Sequence, residues 1–278
     1  MSLKIVERPS DPMLTGESRD DWDQHWAEHS VSSLAESNPA QRYRRQLICD
    51  LLGESWSKRP GRIVDLGSGN GDLLADLSTR ISSVGMLGVE RSAVGIEIAA
   101  RKVPLASFLQ QDLLQPIPTE CAYRGWADYA ICSEVLEHLN DPGSFLINAS
   151  ALMSPGCKLI VTVPGGPMSA FDRHIGHRKH YSVVELRELL EHSGFSVRAV
   201  RGAGFPFFNL YRLVVILRGN ALVEDVSHDP PGLARLAGSL LTRLFRGLFA
   251  FNWNQGRLGW QIVATAEIEV RNATLSGN

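Results

Sequence analysis

The chain has 278 residues, 44% of them hydrophobic and 21% charged, with a formal net charge of −2. These values describe a soluble chain of one large domain, or a core with additions, and give no overall electrostatic case for a nucleic-acid partner. No apolar run reaches the ~20 residues that a spanning helix needs, and the best candidate, Phe205–Leu217, carries Arg212.

In chain order, residues 1–20 are polar and read as an arm, and Asp21–Leu52 reads as helical. Within it Asn38-Pro39 marks a helix start, and Tyr43, Leu47, Ile48, Leu51 and Leu52 recur at steps of three and four. Residues 54–61 form a linker. An alternation follows: strand Arg62–Leu66, helix Asp72–Ile81, strand Met86–Glu90, helix Ala93–Arg101, and strands Ser107–Gln111 and Ala127–Cys132. Helix Gly143–Leu152, strand Lys158–Pro164, helix Val183–Ser193 and strand Phe195–Val200 continue it, and Gly259–Val270 reads as a last strand. Such alternation predicts right-handed βαβ units and a mostly parallel sheet with helices on both faces. Residues 202–256 interrupt the rhythm with the apolar run and a basic amphipathic stretch, Gly232–Phe251. Cysteines 49, 121, 132 and 157 form no C-x-x-C pair, and no signal-peptide core is evident. A reduced, cytoplasmic protein is expected.

The first strand runs into V-D-L-G-S-G-N-G-D, Val64–Asp72. A dinucleotide turn would read G-x-G-x-x-G. Here the glycines are compressed, and Asp65 precedes them, a carboxylate better suited to an ammonium group than to a pyrophosphate. The second strand ends in G-V-E-R-S, with Glu90 placed for ribose hydroxyls, and the third in Q-Q-D-L, with Asp112 placed for an exocyclic amine. The fourth ends in C-S-E-V-L-E-H-L. All four lie at the carboxyl edge, where such sheets bind nucleosides.

In this order the four segments resemble the successive motifs of class I S-adenosylmethionine-dependent methyltransferases. The likeness covers roughly residues 60–200 and the last strand. It is greatest to the group containing ubiquinone-biosynthesis-type O-methyltransferases and many small-molecule methyltransferases. The resemblance implies a Rossmann-like sheet of seven strands with an antiparallel final strand, binding S-adenosyl-L-methionine and releasing S-adenosyl-L-homocysteine. It implies that Asp65, Gly67, Ser68 and Gly69 line the methionine end and that Glu90 with Arg91 holds the ribose. Asp112 and Leu113 would take the adenine, and Ser133 and Glu134 would lie beside the sulfonium. Residues 61–201 and 257–272 would be this core, 1–60 an arm and helical lid, and 202–256 a helical cover of the acceptor site.

Methyl transfer from a sulfonium needs alignment, exclusion of water and, for a hydroxyl acceptor, removal of a proton. The cofactor motifs leave the acceptor open. F-D-R-H-I-G-H-R-K-H-Y-S, Phe171–Ser182, follows the fifth strand and carries His174, His177 and His180. A neutral histidine base beside cations that steer an anionic acceptor is one reading, and backbone and cap hydrogen bonds are another. Arg173, Arg178 and Lys179 among the histidines, with Asp172 the nearest carboxylate, count against a metal. His138 lies near the expected sulfonium. A small or lipid-like acceptor methylated at oxygen is expected. Methylation at nitrogen or carbon, a non-catalytic nucleoside binder and a nicotinamide oxidoreductase are the alternatives. Residues 205–250 also suit peripheral membrane contact or a homodimer face.

Overall fold

The computed structural model describes residues 22–29, 38–56, 60–81, 85–227 and 232–268. The expected arm, part of the linker and the end of the last strand at 269–270 lie outside these residues. Two helices open the chain, α1 Trp22–His29 and α2 Pro39–Trp56. The alternating core follows as β1 Ile63–Leu66, α3 Asp72–Arg80, β2 Met86–Glu90, α4 Ala93–Lys102 and β3 Ser107–Gln110. Then come β4 Ala127–Ser133, α5 Pro142–Ser150, β5 Met153–Pro164, α6 Ala170–His174, α7 Val183–His192 and β6 Phe195–Ala203. Helices α8 Phe207–Ser227 and α9 Gly232–Leu248 form the insertion before β7 Gln261–Ile268.

The strands form a seven-stranded sheet in the order β3-β2-β1-β4-β5-β7-β6. Strands β1 to β5 pair in parallel, and β7 runs antiparallel to both β5 and β6. Strands β1 and β2 are buried throughout, as expected for continuous apolar runs covered on both faces. On one face Val64, Leu66, Leu87, Val89 and Val161 pack with Phe145 and Leu146 of α5 and Leu186 and Leu190 of α7. On the other, Ile63, Met86, Ile131 and Ile160 pack with α2, α3 and α4. The order reverses beside β1, whose neighbours are β2 and β4, and opens the carboxyl-edge crevice that binds ligands in such sheets.

Three details depart from the sequence expectation. Strand β5 begins at Met153 because Met153 already pairs with Ala127, and a register shift between Ala127 and Tyr129 absorbs the S-P-G interruption. A 3₁₀ turn, Leu136–His138, follows β4, and α6 interrupts the histidine-rich stretch. A reciprocal cap between Ser169 and Asp172 starts α6, just as Ser182 and Glu185 start α7. The insertion builds a third core, in which Tyr43 and Leu47 of α2 pack with Phe208, Phe245, Phe249 and Val263. Its apolar face is wider than this core covers: Leu240, Leu241, Leu244, Phe251 and Trp253 stay exposed. Among the described residues no helix is long and apolar enough to cross a membrane.

Candidate active site

The glycine turn is pinned to the sheet by its backbone. The Gly67 and Ser68 amides both donate to the Val89 carbonyl, at 2.8 and 3.0 Å. Gly67 and Gly69 take positive φ, 77° and 52°, which a side chain would resist. A Cβ at Gly67 would also meet Val135, and one at Gly69 the Trp26 ring 2.5 Å away. Glu90 closes the turn from β2. Its Oε2 accepts from the Gly69 amide at 3.0 Å, and its Oε1 from the Arg91 and Ser92 amides at 2.9 Å each. A carboxylate has about four acceptor positions, so Glu90 keeps capacity for roughly one further donor. Asp65 is buried beside it. Burial, and then the nearby Glu90 charge, push its carboxyl up to about 7. Ser68 is buried, and its hydroxyl has no partner among the described residues.

Helix α1 lies across this edge. Asp23 accepts from the Ser92 hydroxyl at 2.5 Å and the Val94 amide at 3.3 Å, at the start of α4. Trp26 covers Gly69 and Gly95. Trp22 packs under the Arg91 guanidinium, 5.9 Å from its ring centre, and edge-on to His138 at 5.0 Å. At the end of β3, Asp112 Oδ1 accepts from the Leu114 amide at 2.9 Å. Leu113 is buried, and its carbonyl accepts from Asn148 at 3.0 Å.

Past β4, Glu134 has a φ of 56°, the one positive value among the described non-glycine residues. Such strained positions cluster at functional sites. Its Oε1 accepts from Gln261 at 2.8 Å and Thr162 at 3.2 Å, and Arg44 of α2 stands 3.4 Å from its Oε2. Ser133 shares a 2.9 Å hydrogen bond with the Thr162 hydroxyl. One turn on, Glu137 is 0% exposed, and neither carboxylate oxygen has a hydrogen-bond partner among the described residues. Burial, then the Glu134 charge, raise its carboxyl well above the usual range.

The loop after α6 delivers His177 and His180 against this turn. His177 Nε2 lies 4.0 Å from Glu137 Oε1, and its ring stands perpendicular to that of His138 at 4.8 Å. His177 Nδ1 and His180 Nε2 are 3.1 Å apart, and His180 Nδ1 is 3.1 Å from the Gly166 carbonyl. Burial, as the main cause, drives His177 down to about 3 and lowers His180, so both rings are neutral near pH 7. Asp172 beneath them pairs with both guanidinium nitrogens of Arg212, at 3.0 and 2.8 Å, and accepts from the Ser169 hydroxyl. Its burial works upward, but the Arg212 and Ser169 bonds outweigh it and hold the carboxyl down to about 2.

Comparison with known proteins gives the family of the chain. The methyltransferase domain family matches residues 40–200. This chain belongs to that family, as a class I S-adenosylmethionine-dependent methyltransferase. It is 27% identical to the ubiquinone biosynthesis O-methyltransferase of Aeromonas salmonicida over 74% of this chain and 89% of that protein. It is 30% identical to the trans-aconitate 2-methyltransferase of Methylobacterium nodulans over 44% of this chain and 45% of the other. Among solved structures, the CurJ carbon methyltransferase shares the fold with a TM-score of 0.56 at 12% identity, covering 89% of this chain and 58% of that one.

The methyltransferase brings His138, His177 and His180 together and leaves His174 out. His174 ends α6 exposed, and Gly176, with φ 89°, turns the chain before His177. The cations that interleave the histidines in sequence also turn away from them. Arg178 bonds the His138 carbonyl and Asn140, Lys179 pairs with Glu185, and Arg173 reaches back to the Ser169 carbonyl. Glu137, Arg212, Gln261, Thr162 and Arg44 join the site without having been foreseen. Only Glu137 lay in a recognised motif, and its complete burial there was the missed signal. Beside the methyltransferase's histidines, an apolar recess of roughly 330 Å³ is lined by Pro206, Phe207, Leu210, Leu213 and Trp260. Trp260 packs on Gly166, the residue whose carbonyl meets His180.

Proposed function

We propose that this methyltransferase methylates a hydroxyl oxygen of a small, largely apolar acceptor. The observation that carries the reading is the half-buried neutral histidine pair, His177 and His180, held against Glu137 on one side and against Gly166, on which Trp260 of the apolar recess packs, on the other. S-adenosylmethionine supplies a methyl group already activated by its sulfonium charge. On this reading Asp65 receives the cofactor's ammonium group, and the remaining acceptor position of Glu90 takes a ribose hydroxyl. Asp112 and Leu113 flank the adenine, with Trp22 and Trp26 excluding water. The recess orients the acceptor through apolar contact, and the lone pair on His177 Nε2 draws the hydroxyl proton as the oxygen attacks. The recess size falls at the low end for small-ligand pockets, which supports one ring or a short chain at the reacting end. The exposed leucines of α9 support an acceptor met at an apolar surface, a lipid layer or a second copy of the chain.

The test is methyl transfer from labelled S-adenosylmethionine to phenolic, catecholic and polyprenylated acceptors, beside amine and carbon acceptors of similar size. The expected product is a methyl ether. His177→Asn should cut kcat by a factor of about 10²–10⁴ and leave the cofactor Kd unchanged. Methylation confined to nitrogen or carbon would refute the oxygen assignment.

A further inference from the structure

We propose that the insertion docks this chain on an anionic lipid bilayer, with the apolar recess opening at the bilayer surface. The docking face is built around the recess. Leu210, Leu213 and Leu217 recur at steps of three and four on α8, and all three are exposed. Leu210 and Leu213 are also recess walls, so the exposed stripe and the recess share one surface. Hydrogen bonds bring two more exposed apolar residues to the rim. The Trp253 amide donates to the Phe205 carbonyl at 2.7 Å, next to Pro206 of the recess. The Asn209 side chain donates to the Leu258 carbonyl at 2.7 Å and accepts from the Trp260 amide at 2.9 Å. Trp253 is 60% exposed and Leu258 58%. On α9, Leu240 and Leu244 stand one turn apart and exposed, while the adjacent Phe245 is buried in the insertion core. An apolar surface this broad marks a contact site on a folded chain.

Charge selects the occupant. Residues 202–223 and 230–266 contain no aspartate or glutamate. Arg243, Arg246 and Arg257 stand exposed among the apolar side chains, and Arg243 lies about 60° around α9 from Leu240. Arginine heads on apolar stems, beside leucine and tryptophan, suit the boundary between acyl chains and anionic headgroups. A second copy of the chain fits worse. A two-fold contact sets each patch against its own likeness, so these arginines would meet arginines, with no carboxylate from either segment to answer them. Among the described residues no helix is long and apolar enough to cross a bilayer, so the face lies on the lipid surface. An apolar acceptor held in that bilayer would then pass from lipid into the recess without crossing water. This route for the acceptor rests on the proposed function, whereas the docking itself needs no acceptor.

The full chain is floated, without cofactor or acceptor, with vesicles of phosphatidylcholine alone and of equal parts phosphatidylcholine and phosphatidylglycerol. The expected result is capture by the mixed vesicles, little capture by the neutral ones, and release as salt is raised. Leu240→Ser with Leu244→Ser should weaken capture by at least about tenfold. Arg243→Ser with Arg246→Ser should weaken it by about fivefold for each lost cation. All four side chains are exposed, so both double variants should keep the wild-type circular dichroism and cofactor Kd. No capture of the wild type by mixed vesicles, or capture that both double variants leave unchanged, would overturn the docking face. A dimer in sedimentation velocity that Leu240→Ser with Leu244→Ser abolishes, without vesicle capture, would make a second copy the occupant and overturn the proposal. Ether formation on a water-soluble phenol without vesicle capture would remove the docking and leave the proposed function standing. Capture with methylation confined to nitrogen or carbon would do the reverse.

Discussion

Two buried carboxylates sit in opposite electrostatic settings, and each predicts its own pH response. Asp65, pushed up to about 7, is neutral below that pH in the cofactor-free protein. The stability it retains at low pH is lost as pH rises from the ordinary carboxylate range through about 7, because the unfolded chain ionises first. A cationic ligand favours the charged form, so cofactor affinity should climb as pH rises through 7 and level off above it. Calorimetry with S-adenosylmethionine across that range would show the slope, and Asp65→Asn should bind more weakly with the slope gone. A slope unchanged in Asp65→Asn would remove the ammonium from Asp65. Asp172, held down to about 2 chiefly by Arg212, behaves the other way. Its contribution is present above the usual carboxylate range and is lost as pH falls toward 2. Arg212→Met leaves a buried charge unanswered and should cost about 3–5 kcal/mol, measured by urea denaturation at neutral pH.

Helix α1 is short, yet it touches three parts of the ligand edge through Asp23, Trp22 and Trp26. Trp26→Ala opens Gly69 and Gly95 to solvent and should speed cofactor dissociation about tenfold, a loss on the order of 1.4 kcal/mol. Stopped-flow fluorescence would read it, and an unchanged off-rate would mean that α1 does not act as a lid. The alternating core was legible in sequence because its signals are local: buried runs for strands, three- and four-residue steps for helices, and caps such as Ser182 with Glu185. The cofactor motifs were legible for the same reason, each being one strand end and the turn after it. The histidine cluster was not, since its contacts join distant segments: Arg212 of α8 with Asp172, and Glu137 with His177. Spacing alone grouped His174 with His177 and His180, and only the break at Gly176 separates them.

Across the whole molecule, α2 ties the insertion to the sheet. Its Ile48 and Leu52 belong to the core on one sheet face, and its Tyr43 and Leu47 to the core built by α8 and α9. The insertion therefore cannot be a detachable cap, since excising residues 205–250 would strip Tyr43, Leu47 and Val263 of their covering. One cooperative unit is the physical expectation for cores that share a helix. Phe208 is 1% exposed in the insertion core, and its ring lies 5.2 Å from that of Tyr43. Phe208→Ala should cost about 3–5 kcal/mol, and the loss should appear in the unfolding of the entire chain. Far-UV circular dichroism reports the sheet and its helices, and fluorescence read in a background that keeps Trp253 and Trp260 of the six tryptophans reports the insertion. The two urea curves should coincide in wild type and shift together in the variant, with the slope preserved. Separate midpoints, with only the fluorescence curve moved by Phe208→Ala, would make the insertion an independent domain. The apolar recess would then rest on a unit able to open without the alternating core.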